Sequence, residues 1–252
     1  MTDINISLNP IKDSLLLIKT IKKDQNIDCD KISFLIESGI DVNKLDNNNL
    51  SALMHLSVKK SDNVLEMMNL LIESGADVNK QTIYGGTILM IVAQASCNFS
   101  HKKIDLLIKN GAKLDCQDHF GKTALMFAIQ FGFSNTLNMV KSLVENGSDV
   151  NIQTKKGWTA LMFIAERMNS DIKFKFLIDQ NKDIIRTLIY SGADIKKKNI
   201  NGQTALNIGG DDFCDFINKI KLEKKSLVKS CLHNKVMNQS SCGGGGGRGV
   251  LT

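Results

Sequence analysis

Cys97, His101, Cys116 and His119 follow one another as C-x3-H-x14-C-x2-H. Thiols and imidazoles are the ligands zinc prefers, so this order is the first candidate for chemistry in the chain. Cys231, His233 and Cys242 form a second group of the same residue types. Asp211 and Asp212 are adjacent carboxylates, the material of acid–base catalysis. Beyond these groups the chain has no G-x-x-x-x-G-K-[ST] loop, no G-x-S-x-G and no H-E-x-x-H. The run of glycines at 243–247 follows no strand, so it lacks the setting in which such a run cradles phosphate. Whether the candidate residues can meet depends on the elements that carry them.

Those elements recur. LIESGIDVN at 35–43 returns as LIESGADVN at 71–79, LIKNGAKLD at 107–115, LVENGSDVN at 143–151 and LIYSGADIK at 188–196. Their glycines, Gly39, Gly75, Gly111, Gly147 and Gly192, are spaced by 36, 36, 36 and 45 residues. A second block, SALM at 51, TILM at 87, TALM at 123, TALM at 159 and TALN at 204, keeps the same spacing. Two blocks sharing one period define a repeat architecture. Within a unit, Thr123 is placed as an N-cap and Ala124 to Gln130 as a short apolar helix. After a break at Gly132 to Asn135, residues 137–147 put Leu137, Val140, Leu143 and Val144 on one face of a second helix. Gly147 stands where a left-handed C-cap is needed. Residues 148–157 read as an extended turn to the next helix. Helices this short are marginal alone, so each unit must pack on its neighbours.

The register disposes of most of the chemistry. Cys97 and His101 fall in the turn between two helices, and Cys116 and His119 in the loop at the other end of the unit. A helix of about nine residues holds them roughly 14 Å apart. They are read as surface residues, and the chain as one with no metal site, cofactor or catalytic group. Asp211 and Asp212 read as helix-start charges, because adjacent helical residues point apart. The group at 231–242 falls in a tail read as disordered.

Gly75-Ala76-Asp77-Val78-Asn79 and the lead-in Asp118, Gly121 and Thr123-Ala124-Leu125 resemble the ankyrin repeat. The resemblance covers roughly residues 10 to 222. It implies an all-α repeat fold, an ankyrin-repeat solenoid of helix-turn-helix units with extended, β-hairpin-like loops and about six repeats including degenerate caps. The repeats run 10–43, 44–79, 80–115, 116–151, 152–196 and 197–222, after an extension of residues 1–9 and before a basic, Gly-rich, disordered tail of 223–252. In the first, the helix 11–23 begins directly. Residues 223–238 are read as a loose helix and 239–252 as disordered. Nine extra residues near 170–183 are read as a longer loop or an added helical turn. The family's proline is replaced by Ala52, Ile88, Ala124, Ala160 and Ala205, and its histidine by Met54, Met90, Met126 and Met162, which substitute packing for a polar contact.

The family binds partner proteins through loop tips and the inner helix face. Here the tips carry Asn47-Asn48, Ile83-Tyr84, His119-Phe120, Lys155-Lys156 and Ile200-Asn201, each pair at the same two places in its repeat. Tyr84 and Phe120, with Trp158 one unit on, are read as a row of exposed aromatic anchors. The resemblance further implies that Asn43, Asn79 and Asn151 hold the position where ankyrin proteins can be hydroxylated by an asparaginyl hydroxylase. The residues alone read as turn-stabilising asparagines. The expected role is a monomeric, non-enzymatic scaffold for a partner protein. A ubiquitin-ligase adaptor is one alternative.

Composition adds bounds. With 42% hydrophobic and 23% charged residues the chain is globular. No apolar run approaches the roughly 18 residues of a membrane span. The first residues, MTDINISLNP, lack a secretory pattern, and six scattered cysteines read as free thiols, which together place the protein in the cytoplasm. Pro10 is the one proline, and only Arg167, Arg186 and Arg248 of the 32 basic residues are arginine. Lysine, asparagine and isoleucine over arginine and proline is the mark of an AT-rich coding sequence. This bias is similar to that of the ankyrin proteins of giant DNA viruses of amoebae, which implies a host protein as partner and the host cytoplasm as location. The net charge of +6 lies entirely in residues 219–252, which hold seven basic residues and one acid, Glu223. Residues 1–218 carry 25 of each sign, so the repeats have no global basic face. Nucleic acid is therefore not the expected partner, although contact through the tail is a second alternative.

Overall fold

A computed structural model describes residues 15–24, 27–95, 100–132, 135–169 and 178–240, with side chains to 226. The chain divides into two compact units, residues 1–209 and 210–252.

In the first unit short helices alternate in two layers. One layer holds α1 (Leu16–Lys23), α3 (Ala52–Ser57), α5 (Ile88–Ala95), α7 (Ala124–Phe131) and α9 (Ala160–Asn169). The other holds α2 (Cys29–Glu37), α4 (Val64–Glu73), α6 (Ser100–Lys109), α8 (Thr136–Glu145) and α10 (Ile178–Tyr190). Each helix packs against its own pair mate or the next helix of its layer, as in α3 on α5, α5 on α7, α7 on α9, α4 on α6 and α6 on α8. Such nearest-neighbour packing is the signature of a solenoid. The four replacement methionines, Met54, Met90, Met126 and Met162, are all at most 2% exposed, so packing has indeed taken the place of the histidine.

The local signals explain the boundaries. Ser51 Oγ accepts a hydrogen bond from the Met54 N–H at 3.2 Å, and Thr159 Oγ1 from the Met162 N–H at 3.3 Å. Thr123 occupies the N-cap position of α7, but its side chain makes no capping bond. The buried face of α8 is Thr136, Met139, Val140 and Leu143. Leu137 and Val144, expected on that face, flank it half-buried. At the helix ends Gly75, Gly111, Gly147 and Gly192 have φ between 81° and 98°. The next residue closes the motif in each: the Ala76 N–H donates to Leu71 O at 2.9 Å and the Ser148 N–H to Leu143 O at 3.1 Å.

Three cations finish what the backbone leaves open. Lys59 Nζ donates to Asp24 O at 3.2 Å, at the C-terminal end of α1. Lys103, 1% exposed, donates to Ser57 O at 2.6 Å and Lys59 O at 3.0 Å, where α3 ends. Arg167, 7% exposed, donates to Ile129 O and Gly132 O, both at 3.0 Å, where α7 ends. Lys59 and Arg167 share one register, seven residues after the start of their repeat's first helix. Each cation joins one repeat to the previous one and faces the negative end of a helix dipole. Burial lowers the Arg167 pKa from its usual value.

The insertion in the fifth repeat is partly legible. α10 has 13 residues where α8 has 10, an added turn at its start. The remainder of the insertion, 170–177, lies outside the described residues, as do residues 11–14 of the expected first helix.

In α11 (Ala205–Ser240) the helix breaks at Gly210, which has φ 70° and ψ −168°. In the second unit Asp211 and Asp212 are exposed in the first turn after that break, and Phe213, Phe216, Ile217 and Ile220 are buried. Residues 223–240, part of the tail expected to lack fixed structure outside a loose helix, are helical throughout. Their lysine, leucine and glutamine content favours a helix, and no glycine or proline interrupts it. Residues 241–252 lie outside the described residues.

Candidate functional site: the loop tips and the groove beneath them

One residue per repeat builds each tip. Asp46, Thr82, Asp118, Thr154 and Asn199 recur at the repeat spacing. Asp118 Oδ1 accepts from the N–H groups of Phe120 at 2.9 Å and Lys122 at 2.8 Å. Asn199 Oδ1 does the same for Asn201 and Gln203, Asp46 Oδ1 for Asn48 and Leu50, and Thr82 Oγ1 for Tyr84 and Gly86. Thr154 Oγ1 accepts from the Trp158 N–H at 3.0 Å. These are the side-chain turns that aspartate, asparagine and threonine favour. Burial pushes the Asp46 pKa up, but donation from Leu50, His55 and Asn48 outweighs it and holds the carboxyl below its usual value. Among the described residues the loops form no strand, only isolated bridges from Leu45 to Ser51 and from Gln81 to Thr87.

Consecutive tips are tied by their backbones. The Ile83 N–H donates to Asn48 O at 3.2 Å and the His119 N–H to Tyr84 O at 2.9 Å. The Lys155 N–H donates to Phe120 O at 2.9 Å and the Ile200 N–H to Lys156 O at 3.1 Å. The residue pairs singled out in the sequence are thus brought into one hydrogen-bonded row. Asn47, Asn48, His119, Lys155, Lys156 and Asn201 are exposed in it, beside Ile83. Tyr84, Phe120 and Ile200 are 66%, 67% and 69% exposed, a large apolar area to leave in water.

Trp158 does not belong to that row. It stands in the register of Gly86 and Lys122, two residues past the tip, and is half-buried against Phe163 with ring centroids 5.2 Å apart. It forms instead the wall of a groove of about 480 Å³ between the tips and α9. Phe120, Lys122, Lys155, Lys156, Phe163 and Glu166 also line that groove. Lys122 Nζ lies 5.6 Å from the ring centroids of Phe127 and Phe163 and 5.7 Å from that of Phe131, and donates to Gln130 Oε1 at 2.6 Å. A second hollow of about 380 Å³ shares Trp158 and Glu166 and continues past Asn169, Gln203 and Ile208. Sequence reading missed Lys122, Phe127, Phe163 and Glu166. The available signal was one column of the repeat: His55, Ile91, Phe127, Phe163 and Ile208 share a register that is half-buried in most repeats.

Asn43, Asn79 and Asn151 are not at the tips but at the repeat junctions, and they bind across them. Asn79 Nδ2 donates to Gly111 O at 3.0 Å while its Oδ1 accepts from the Lys113 N–H at 2.8 Å. Asn43 joins Gly75 and Asp77 in this way, and Asn151 joins Gly192 and Asp194. The residue that steadies the local turn is Asp41, Asp77 or Asp149, two positions earlier. Asp115 stands in the asparagine register, where its carboxylate accepts from the Asp149 N–H at 3.1 Å but has no N–H to give the Gly147 carbonyl. Asp115→Asn restores that donor. It is expected to raise stability by about 1 kcal/mol in urea denaturation, and no gain would show that the junction does not use the bond.

Among the described residues no group of three or more His, Cys, Asp or Glu side chains is placed to hold a metal. Cys97 and the side chains of Cys231, His233 and Cys242 lie outside them. Cys29, Cys116 and Cys214 form no disulfide, and burial together with the nearby Glu66 pushes the Cys29 thiol up. Among the described residues no helix is long and apolar enough to cross a membrane.

The profile of ankyrin repeats in three copies matches residues 55–145, 89–180 and 133–208. No curated protein matches the chain. The crystal structure of the ankyrin repeat protein EF0377 is similar over 83% of this chain and 98% of its own, with a TM-score of 0.66 at 21% identity, a likeness of fold. The matched span covers more than half of the sequence and coincides with the stacked helix pairs, so the chain belongs to the ankyrin repeat family.

Proposed function

We propose that the protein is a non-enzymatic scaffold that binds a partner protein through its loop tips and the groove beneath them. Ankyrin repeats generally mediate protein–protein interaction. The observation that carries the reading is the row of tips locked by inter-repeat hydrogen bonds, with Tyr84 and Phe120 held outward. Rigid aromatics lose little entropy on binding, which is why they anchor interfaces. The compositional likeness to giant-virus ankyrin proteins supports a host protein as partner, met in the cytoplasm. Recruiting a ubiquitin ligase is a narrower form of the same role.

The test is affinity purification with mass spectrometry, comparing the wild type with a variant carrying Tyr84→Ala, Phe120→Ala and Lys156→Ala. These side chains are exposed, so their loss costs the fold little. The expected result is a partner recovered by the wild type and reduced about tenfold or more in the variant. Equal recovery would show that the tips are not the site.

Charge favours a second reading for the tail alone, because residues 219–252 hold the whole surplus of +6. Binding of DNA or RNA that falls steeply with salt and is lost on truncation near residue 222 would support it.

A further inference from the structure

We propose that the groove of the fourth to sixth repeats takes a short extended segment of a partner protein, with acidic residues beside an apolar anchor. This rests on the interaction reading above and adds the chemistry of what is bound. Lys122, Lys155 and Lys156 line the groove with one carboxylate, Glu166. Among the described residues none of these three lysines forms an ion pair. Lys122 is held by aromatic rings and by the Gln130 amide, neither of which cancels its charge. Residues 1–218 are neutral overall, so three lysines against one glutamate is a local surplus and not the background of the array.

The groove also has an apolar lining: Trp158, which lies against Phe163, and Phe120 from the neighbouring tip. An anchor side chain seated on Trp158 would leave its flanking carboxylates opposite Lys155 and Lys156. Partial enclosure lowers the local dielectric and strengthens those pairs relative to open water. The second hollow shares Trp158 and Glu166 with the groove. Two repeat spacings of about 10 Å each match about six residues of extended chain.

Trp158 is the only tryptophan in the protein, so its emission reports occupancy of this groove. A random peptide library displayed on phage is panned on the full chain, and an enriched peptide without tryptophan is then titrated against it. The expected result is enrichment of aspartate and glutamate around an aromatic or aliphatic residue, with a saturable change in Trp158 emission. The Lys155→Glu, Lys156→Glu variant should bind about tenfold more weakly, and added salt should weaken the wild type. Enrichment of basic or uncharged peptides, no enrichment, unchanged emission, or equal binding by the variant would each overturn the proposal. If acidic peptides fail while the tip variant still loses its cellular partner, this inference falls and the interaction reading stands. If both experiments fail, both readings fall.

Discussion

Arg167→Ala is expected to destabilise the fourth and fifth repeats by about 3 kcal/mol. The guanidinium is buried and donates to two carbonyls, Ile129 O and Gly132 O, at the end of α7. Alanine leaves both acceptors without that donor in a site the side chain filled. Two charge-assisted hydrogen bonds and a helix-end charge are lost together, and a cavity opens. Arg167→Met separates the effects, because it keeps most of the volume and removes the donors. If hydrogen bonding dominates, methionine should recover only a minor part of the loss. Urea unfolding followed by Trp158 emission reads the change in the same repeat. A loss below about 0.5 kcal/mol for alanine would mean that the buried cation merely breaks even with its desolvation cost.

Gly121→Ala is expected to cost about 3 kcal/mol, and Gly202→Ala only about 1 kcal/mol. The two glycines hold the same place in their repeats and nearly the same conformation, with φ of 79° and 74°. An L-residue pays a similar conformational cost at either. Their surroundings differ. A Cβ on Gly121 would lie 2.7 Å from Lys155 N and 3.0 Å from Thr154 C and Cα, whereas at Gly202 nothing lies within 4 Å. Backbone cannot swing aside as a side chain can, so the fifth tip must shift and the bond from the Lys155 N–H to Phe120 O must lengthen. The same substitution should therefore weaken partner binding, while Gly202→Ala should not. Equal costs at the two sites would show that left-handed strain alone sets the requirement for glycine. Asn49 occupies this register in the second repeat with φ 57°, which asparagine tolerates better than most residues.

The periodic part of the fold was legible because the same physical need recurs at one spacing. Gly75, Gly111 and Gly147 all close a helix, and the tip pairs stand out because they vary inside a constant frame. What escaped sequence reading was what acts between repeats. Lys103 sits in the register of Met67 and Met139, where a basic residue reads as solvated, and its function depends on carbonyls 44 and 46 residues away in sequence. Asn79 reads as a local turn residue because its partners belong to the next unit. Phe127 falls in a segment legible only as a short apolar helix, and such a helix shows an apolar face whether that face is covered or lines a groove. Trp158 was misplaced because aromatic type was weighed before register. Its register shows it to be two residues past the tip.

Amide hydrogen exchange of the full chain, with and without the purified partner, tests the central claim most directly. The account predicts slower exchange on binding within residues 82–86, 118–122 and 154–158 and along α9, with α4, α6 and α8 unchanged. Protection confined to α4, α6 and α8 would place the partner on the opposite layer and contradict the account.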